Sequence, residues 1–328
     1  MKYKALLRQY YQYLNTLAAL VTSQYQRANI SIFHEFRPSP GGGGHQFLRA
    51  LRNEFIRRGL KVENNRISPT TQACLFNSYN FNIERLQKFQ RLGCRMVHRI
   101  DGPMSVYRGR DDGSDRRIWL INQEFADVTI LQSRYSLEQN RELGFEFKSP
   151  FVVINAVDPN IFNKLGRILF DRKRKIRLIS TSWSDNPNKG APIYKWIEEH
   201  LDWDQYEYTF VGRTPIKFTR IQVIPPVPSK QLAGLLRQHD IYVFASKHEA
   251  CSNALIESLS CGLPSLFIYS GANAEIVGEG GLGFMSEDEI PNLLNQLVTR
   301  YEYYQSKINL PKLVEIADRY LSIIGIRT

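Results

Sequence analysis

The chain has 328 residues, 43% hydrophobic and 23% charged, enough for two domains with separate cores. Its 43 Lys and Arg against 32 Asp and Glu give a net charge of +11, which suits an anionic partner: nucleotide phosphates, an acidic membrane surface or nucleic acid. No run approaches the roughly 20 apolar residues of a membrane span, and the start lacks the apolar core and cleavage site of a secretory signal. Cys74, Cys94, Cys251 and Cys261 have neither C-x-x-C nor metal-ligand spacing, so the expectation is a reduced, cytoplasmic protein.

Residues 1–28 contain Lys2, Lys4, Arg8 and Arg27 and no acid; the first acid is Glu35. Tyr3, Leu6, Leu7, Tyr10, Tyr11, Leu14, Leu17 and Leu20 recur roughly at helical spacing. Such a helix packs on the domain that follows it, or lies peripherally on an anionic membrane. Ile30 to Phe33 reads as a first strand, then comes a run of glycines, Gly41 to Gly44, and an amphipathic helix from Gln46 to Arg58. Strand, glycine-rich loop and helix form a phosphate-binding arrangement, although this one lacks both the dinucleotide fingerprint and the P-loop lysine.

Strands are expected at Ala73–Phe76, Cys94–His98, Val128–Leu131 and Phe151–Ile154, separated by helices near Ile83–Leu92, Arg116–Phe125 and Ser133–Leu143. This alternation predicts a parallel sheet covered on both faces. His98 ends one strand and Arg99 and Asp101 follow, charges that are costly there unless used or paired. The loop Tyr107 to Arg117 is dense in both signs and reads equally as an acceptor loop or as a solvated, mobile one. Lys164 to Lys175 is a basic stretch expected to be a solvated linker.

A second alternation begins near Ile176. Ile176–Ser180 reads as a strand, Thr181–Asn188 as a polar loop with a turn at Asn186-Pro187, and Lys189-Gly190 as the opening of a helix. Tyr206–Val211 and Ile221–Ile224 are further strands, Lys230–Arg237 a helix, Ser265–Ile268 a strand, and Leu293–Tyr304 and Leu313–Ile324 terminal helices.

The stretch IYVFASKHEACSNALIESLSCGLP, Ile241 to Pro264, organises the rest. Ile241 to Ala245 is a buried strand by composition. Ser252 is a helix N-cap for Asn253 to Ser260, which Gly262 and Pro264 stop. The helix therefore starts from a loop at the carboxyl end of a strand, where open α/β sheets bind ligands. Its exposed N–H groups suit a phosphate. Glu249 lies before the tip and Glu257 about 7.5 Å beyond Ser252 along the axis, leaning back toward it.

Glu249-x7-Glu257 followed by Cys261-Gly262-Leu263-Pro264 resembles the donor-site signature of retaining glycosyltransferases with the GT-B fold, family 4 in particular. Ala250-Cys251-Ser252 stands where that family carries a glycine-rich loop. The resemblance, from about Asn29 onward, implies two Rossmann-like domains whose parallel sheets face each other across a cleft. The expected division is an extension at 1–28, an acceptor-side domain at 29–160, a linker at 161–175, a donor domain at 176–310 and a helix at 311–328 that crosses back to the first domain. It further implies that Gly42, Gly43, Lys189, Cys251, Ser252, Asn253 and Glu257 hold the donor, that Glu249, His98 and Asp101 serve the sugar and its transfer, and that Pro225 to Pro228 borders the base. Ser182 or Trp183 replaces a family arginine, and Arg213 is its proposed substitute. Asn155 and Asp158 match an Asn-x-x-Asp stretch leading to the hinge.

The activity implied is transfer of a sugar from a nucleoside-diphosphate sugar to a glycan or lipid-linked acceptor, with no cofactor, no metal and no nucleic acid. The rival readings are an epimerase or phosphorylase on the same fold, and a binding protein that kept the scaffold without the chemistry.

Overall fold

A computed structural model describes residues 30–36, 43–68, 70–79, 81–89 and 94–326. The basic segment 1–28 and the donor candidate Gly42 lie outside the described residues.

The first domain alternates β1 (Ile30–Phe33), α1 (Gly43–Arg57), β2 (Val62–Asn64), β3 (Ala73–Asn77), α2 (Ile83–Phe89), β4 (Arg95–Ile100), α3 (Met104–Arg108), α4 (Ser114–Phe125), β5 (Val128–Leu131), α5 (Arg134–Glu142) and β6 (Pro150–Val152). All its strands are parallel, in the order β2-β1-β3-β4-β5-β6. The second domain runs β7 (Ile176–Ser182), a 3-10 turn at Pro187–Lys189, α6 (Ala191–His200), β8 (Tyr206–Gly212), β9 (Gln222–Ile224), α7 (Ser229–Arg237), β10 (Ile241–Phe244), α8 (Asn253–Ser260), β11 (Ser265–Ile268), α9 (Asn273–Val277), β12 (Gly281–Phe284), α10 (Ile290–Thr299), α11 (Tyr301–Ser306) and α12 (Leu313–Ile324). Its parallel order is β12-β11-β10-β7-β8-β9. The two sheets with flanking helices are the two Rossmann-like domains of a GT-B fold.

Each sheet reverses direction of growth once: between β1 and β3 in the first, and between β7 and β10 in the second. Such a reversal opens a crevice at the carboxyl ends of the two strands. His34 and Asn77 stand at the first crevice, and the loops bearing Lys189 and Glu249 stand at the second.

The central strands β1, β3, β5, β10 and β11 are buried along their whole length, in keeping with their predominantly apolar sequences. α12 packs on the first domain: Leu313, Ile316, Ala317, Tyr320, Leu321 and Ile324 share a core with Phe47, Leu51 and Phe55 of α1. Arg58 pairs with Asp318, and Arg319 donates to the Val152 carbonyl at 3.0 Å.

Four expectations change. α1 starts at Gly43, so two of the glycines are helical rather than loop. β4 extends two residues past His98. The basic stretch before β7 is mostly exposed, as expected of a linker, but it is anchored: Phe170 stacks on Tyr301 at 3.8 Å, and Arg174 grips the buried Asp240 at 2.6 and 2.9 Å. The helix expected over Leu293–Tyr304 is two, broken at Arg300 (φ −112°). The short edge strand β2 and the glycine-rich β12 were invisible to apolar patterning, since neither offers a hydrophobic run.

No helix among the described residues is long and apolar enough to cross a membrane. All four cysteines are free and buried.

Candidate active site

A cleft of about 650 Å³ lies between the two domains. On the second-domain side Ser252 caps α8, its hydroxyl accepting from the Leu255 N–H at 3.4 Å. Cys251, Ser252, Asn253 and Ala254 at that helix tip all line the cleft, as do Glu249, Glu257, Lys189 and Arg213. Pro226, Val227 and Leu232 give the same wall an apolar edge.

Two glycines let the chain bring these groups together. Gly190 follows Lys189 with φ +77°, and a Cβ there would lie 2.3 Å from the Ala245 carbonyl oxygen at the end of β10. Gly271 has φ +60°, and its Cβ would lie 2.5 Å from the Glu249 carbonyl oxygen. Only a residue without a side chain permits both the left-handed backbone and the contact.

The result is a half-buried ion pair. Lys189 Nζ donates to Glu249 Oε1 at 2.5 Å, and the Ser246 hydroxyl donates to the same oxygen at 2.6 Å. Burial alone would depress the lysine, but the facing Glu249 carboxylate and Tyr107 raise its pKa, so it stays charged. Glu257 is different: it is 7% exposed, and burial pushes its carboxyl up to about 8. At neutral pH it is mostly protonated.

The first-domain wall comes from strand ends and from α3. Gly44, His45, Asp101, Met104, Tyr107 and Gln132 line it. Tyr107 reaches across the seam, with Lys189 Nζ 5.5 Å from its ring and its carbonyl accepting from Asn188 Nδ2 at 2.6 Å. Gly102 abuts Ala250, whose Cβ would be 2.7 Å from a Cβ at 102. Glu275 accepts from the Arg134 N–H at 3.0 Å, so a second-domain carboxylate caps the N-terminus of first-domain helix α5.

Asp101 sits at the cleft within a ring of side chains. Arg99, fully buried, donates to Asn77 Oδ1 at 2.6 Å, to Asn155 Oδ1 at 2.8 Å and to Asp101 Oδ1 at 3.4 Å. Asn155 Nδ2 donates to Gln132 Oε1 at 2.8 Å, and Gln132 Nε2 donates to Asp101 Oδ1.

His98 is a correction. Because β4 runs on to Ile100, His98 lies within the sheet rather than at its end. It is fully buried, stacked on Phe76 at 4.4 Å, and its Nε2 meets the Ser78 carbonyl oxygen at 2.8 Å. Burial lowers its pKa to about 3, so it is a neutral core histidine and does not line the cleft. Of the glycine run, Gly43 opens α1 and Gly44 beside it lines the cleft. The charged stretch Tyr107–Arg117 is pinned down: Asp115 accepts from the Met104 and Ser105 N–H groups at 2.6 and 2.9 Å.

Sequence reasoning missed Gln132, met Tyr107 only as the start of a charged loop read equally as an acceptor loop or a solvated one, and met Asn155 only as part of the Asn-x-x-Asp stretch. The only signal Gln132 gave was its position just past β5. Among the described residues, no cluster of three or more His, Cys, Asp or Glu is arranged to hold a metal ion.

Comparison with known proteins places this geometry. Residues 199–301, which contain Glu249 and Glu257, match the family described as Glycosyl transferases group 1. No curated protein matches the chain by sequence. Among solved structures the chain is similar to sucrose-phosphate synthase from Thermosynechococcus elongatus, with a TM-score of 0.73 and 13% identity over 92% of this chain and 98% of that one. It is also similar to Anabaena HepE in complex with UDP and glucose, TM-score 0.67 and 14% identity over 92% and 100%. The catalytic domain of starch synthase IV from Arabidopsis thaliana, bound to ADP and acarbose, gives 0.68 and 9% over 92% and 99%. At these identities the likeness is one of fold. The chain therefore has the GT-B fold, and the part of its second domain that matches the glycosyl transferases group 1 family spans the two acids that flank the tip of α8.

Proposed function

We propose that this protein is a glycosyltransferase that moves a sugar from a nucleoside-diphosphate sugar to a hydroxyl of a glycan or lipid-linked acceptor, with retention at the anomeric carbon and without a bound metal. The observation that supports it most is the tip of α8, standing in the interdomain cleft between Glu249 and Glu257. The complexes of structurally similar proteins with UDP and glucose, and with ADP and acarbose, fit a cleft that takes a nucleotide and a sugar together.

In this reading the diphosphate lies at the helix tip, where unpaired N–H groups and the helix dipole favour it. Lys189 and Arg213 add charge, which offsets the charge that grows on the leaving diphosphate. Arriving phosphate competes with Glu249 for Lys189, and the Glu249 carboxylate is then available to sugar hydroxyls. Glu257 accepts from a ribose diol, and Pro226, Val227 and Leu232 border the base. The bond from the anomeric carbon to the phosphate oxygen breaks and one to the acceptor oxygen forms, while the acceptor proton passes to Asp101 or to the leaving phosphate oxygen. Asp101 is oriented for that task by Gln132 and Arg99. The cleft closes water out while this happens. The segment 1–28 is proposed to pack on the first domain or to rest on a membrane carrying the acceptor.

The test is a panel of UDP-, ADP- and GDP-sugars, radiolabelled in the sugar and incubated with chelator present. Labelled product in which the anomeric proton coupling matches the donor supports the reading. Absence of donor turnover, with or without an acceptor, together with no thermal stabilisation by any nucleoside diphosphate, overturns it.

A further inference from the structure

Arginine has hydrogen-bond donors and no acceptor. The buried Arg99 therefore dictates the orientation of every amide it meets. Asn155 must turn its oxygen to Arg99, with Oδ1 2.8 Å from the guanidinium, so its Nδ2 faces away. That nitrogen donates to Gln132 Oε1 at 2.8 Å and, across the domain seam, to Asn253 Oδ1 at 3.2 Å. Asn253 is the first residue of α8 and lines the cleft. With its oxygen taken by Asn155, what Asn253 offers the cleft is its amide N–H.

We propose that Arg99 and Asn155 are positioning residues that fix Asn253 as a hydrogen-bond donor to a phosphate oxygen of the nucleotide at the tip of α8. The inference rests on the donor-binding reading above. It adds that the polarity of one donor-site side chain is set in the other domain, by a cation that never touches the ligand. It also makes closure of the seam a condition for phosphate recognition: with the domains apart Asn253 loses the partner that orients it, and its amide is free to present oxygen, which repels phosphate.

Asn155→Asp tests this. The carboxylate still accepts from Arg99 at the same volume, but it cannot donate. Asn253 then turns its nitrogen to that carboxylate and its oxygen to the cleft. Binding is measured by calorimetry with whichever of UDP, ADP and GDP stabilises the wild-type chain most, and with the matching nucleoside. The expected result is a roughly ten- to hundredfold loss for the diphosphate and a change within about twofold for the nucleoside, the scale of a charge-assisted hydrogen bond replaced by a repulsive contact. In an Asn253→Ala background, Asn155→Asp should cause no further loss, because the two residues act along one route. Asn253→Asp, which keeps the Asn155 bond and leaves only acceptors toward the cleft, gives the same selective loss should Asn155→Asp fold poorly.

Equal weakening of diphosphate and nucleoside would show a merely structural role and overturn the inference, as would unchanged diphosphate binding or a full additional loss in the Asn253→Ala background. A wild-type chain that binds no nucleoside diphosphate brings down the donor reading and this inference together. A wild type that binds while all the variants bind equally well brings down this inference alone.

Discussion

Lys189 Nζ and Glu249 Oε1 stand 2.5 Å apart, joined across the crevice between β7 and β10. In the proposed reading, the cation that would meet phosphate is engaged by the acid that would meet sugar. Glu249→Gln frees Lys189 without removing the side chain's bulk. The expected outcome is unchanged or tighter binding of free nucleoside diphosphate with turnover reduced at least tenfold, the scale on which loss of one charge-bearing hydrogen bond acts. Lys189→Ala acts in the opposite sense on binding and leaves Glu249 partly buried without its counter-ion, at a stability cost of about 1–3 kcal/mol. Calorimetry with the nucleotide and thermal melts separate the two variants.

Glu257 gives a pH signature. Its carboxyl titrates near 8 in the fold against about 4.5 in the unfolded chain, so between those values the folded state holds more protons. Stability therefore falls as pH rises from about 4.5 to 8, by a few kcal/mol in all. Glu257→Gln removes this loss, and the difference in melting temperature between variant and wild type should widen across that window. A ribose diol favours the ionised form, so wild-type nucleotide affinity should rise between pH 7 and 8.5. The variant should bind more weakly with a flat profile there.

His98 predicts the reverse dependence. Its pKa is lowered to about 3 from 6.5, so the unfolded chain binds the extra proton. The stability this confers is present above about pH 6.5 and is lost as pH falls toward 3, at roughly 1.4 kcal/mol per unit. His98→Gln should blunt the acid sensitivity of the melt, and donor KM should stay within about twofold of wild type because the side chain is outside the cleft. A large KM change would return His98 to the site.

Gly190→Ala places a methyl against the Ala245 carbonyl and forces a left-handed backbone on a residue that resists it. The expected cost is at least about 1–3 kcal/mol, seen as a lower denaturation midpoint. Weaker nucleotide binding should accompany it, since the same turn carries Lys189.

Much of this was legible in the chain. The strand–loop–helix from Ile241 to Ser260 declares itself because a continuous apolar run, a serine cap and a Gly-x-Pro stop are local features. The same holds for β5, β11 and α12, whose patterns need no partner to be read. His98 went astray because strand length depends on what the neighbouring strands pair with: Ile100 is held opposite Leu131, which no local pattern announces. Gln132 was missed, and the contacts of Tyr107 and Asn155 were not foreseen, for a related reason. Each acquires its role from a partner tens of residues away, Asn188, Asp101 and Asn253 respectively. The Lys189–Glu249 pairing is of the same kind: both residues were recognisable, but their mutual engagement depends on the glycine turn at 190 pressing against β10.

The return of α12 to the first domain has a consequence for synthesis. Residues 176–306 form an uninterrupted stretch with its own sheet, whereas the first domain's core needs Leu313 to Ile324, which leave the ribosome after that whole stretch. The amino-terminal lobe, though begun first, is completed second. Until α12 arrives, the apolar flank of α1 around Phe47, Leu51 and Phe55 lacks the cover that α12 gives it among the described residues, a window of aggregation risk during translation.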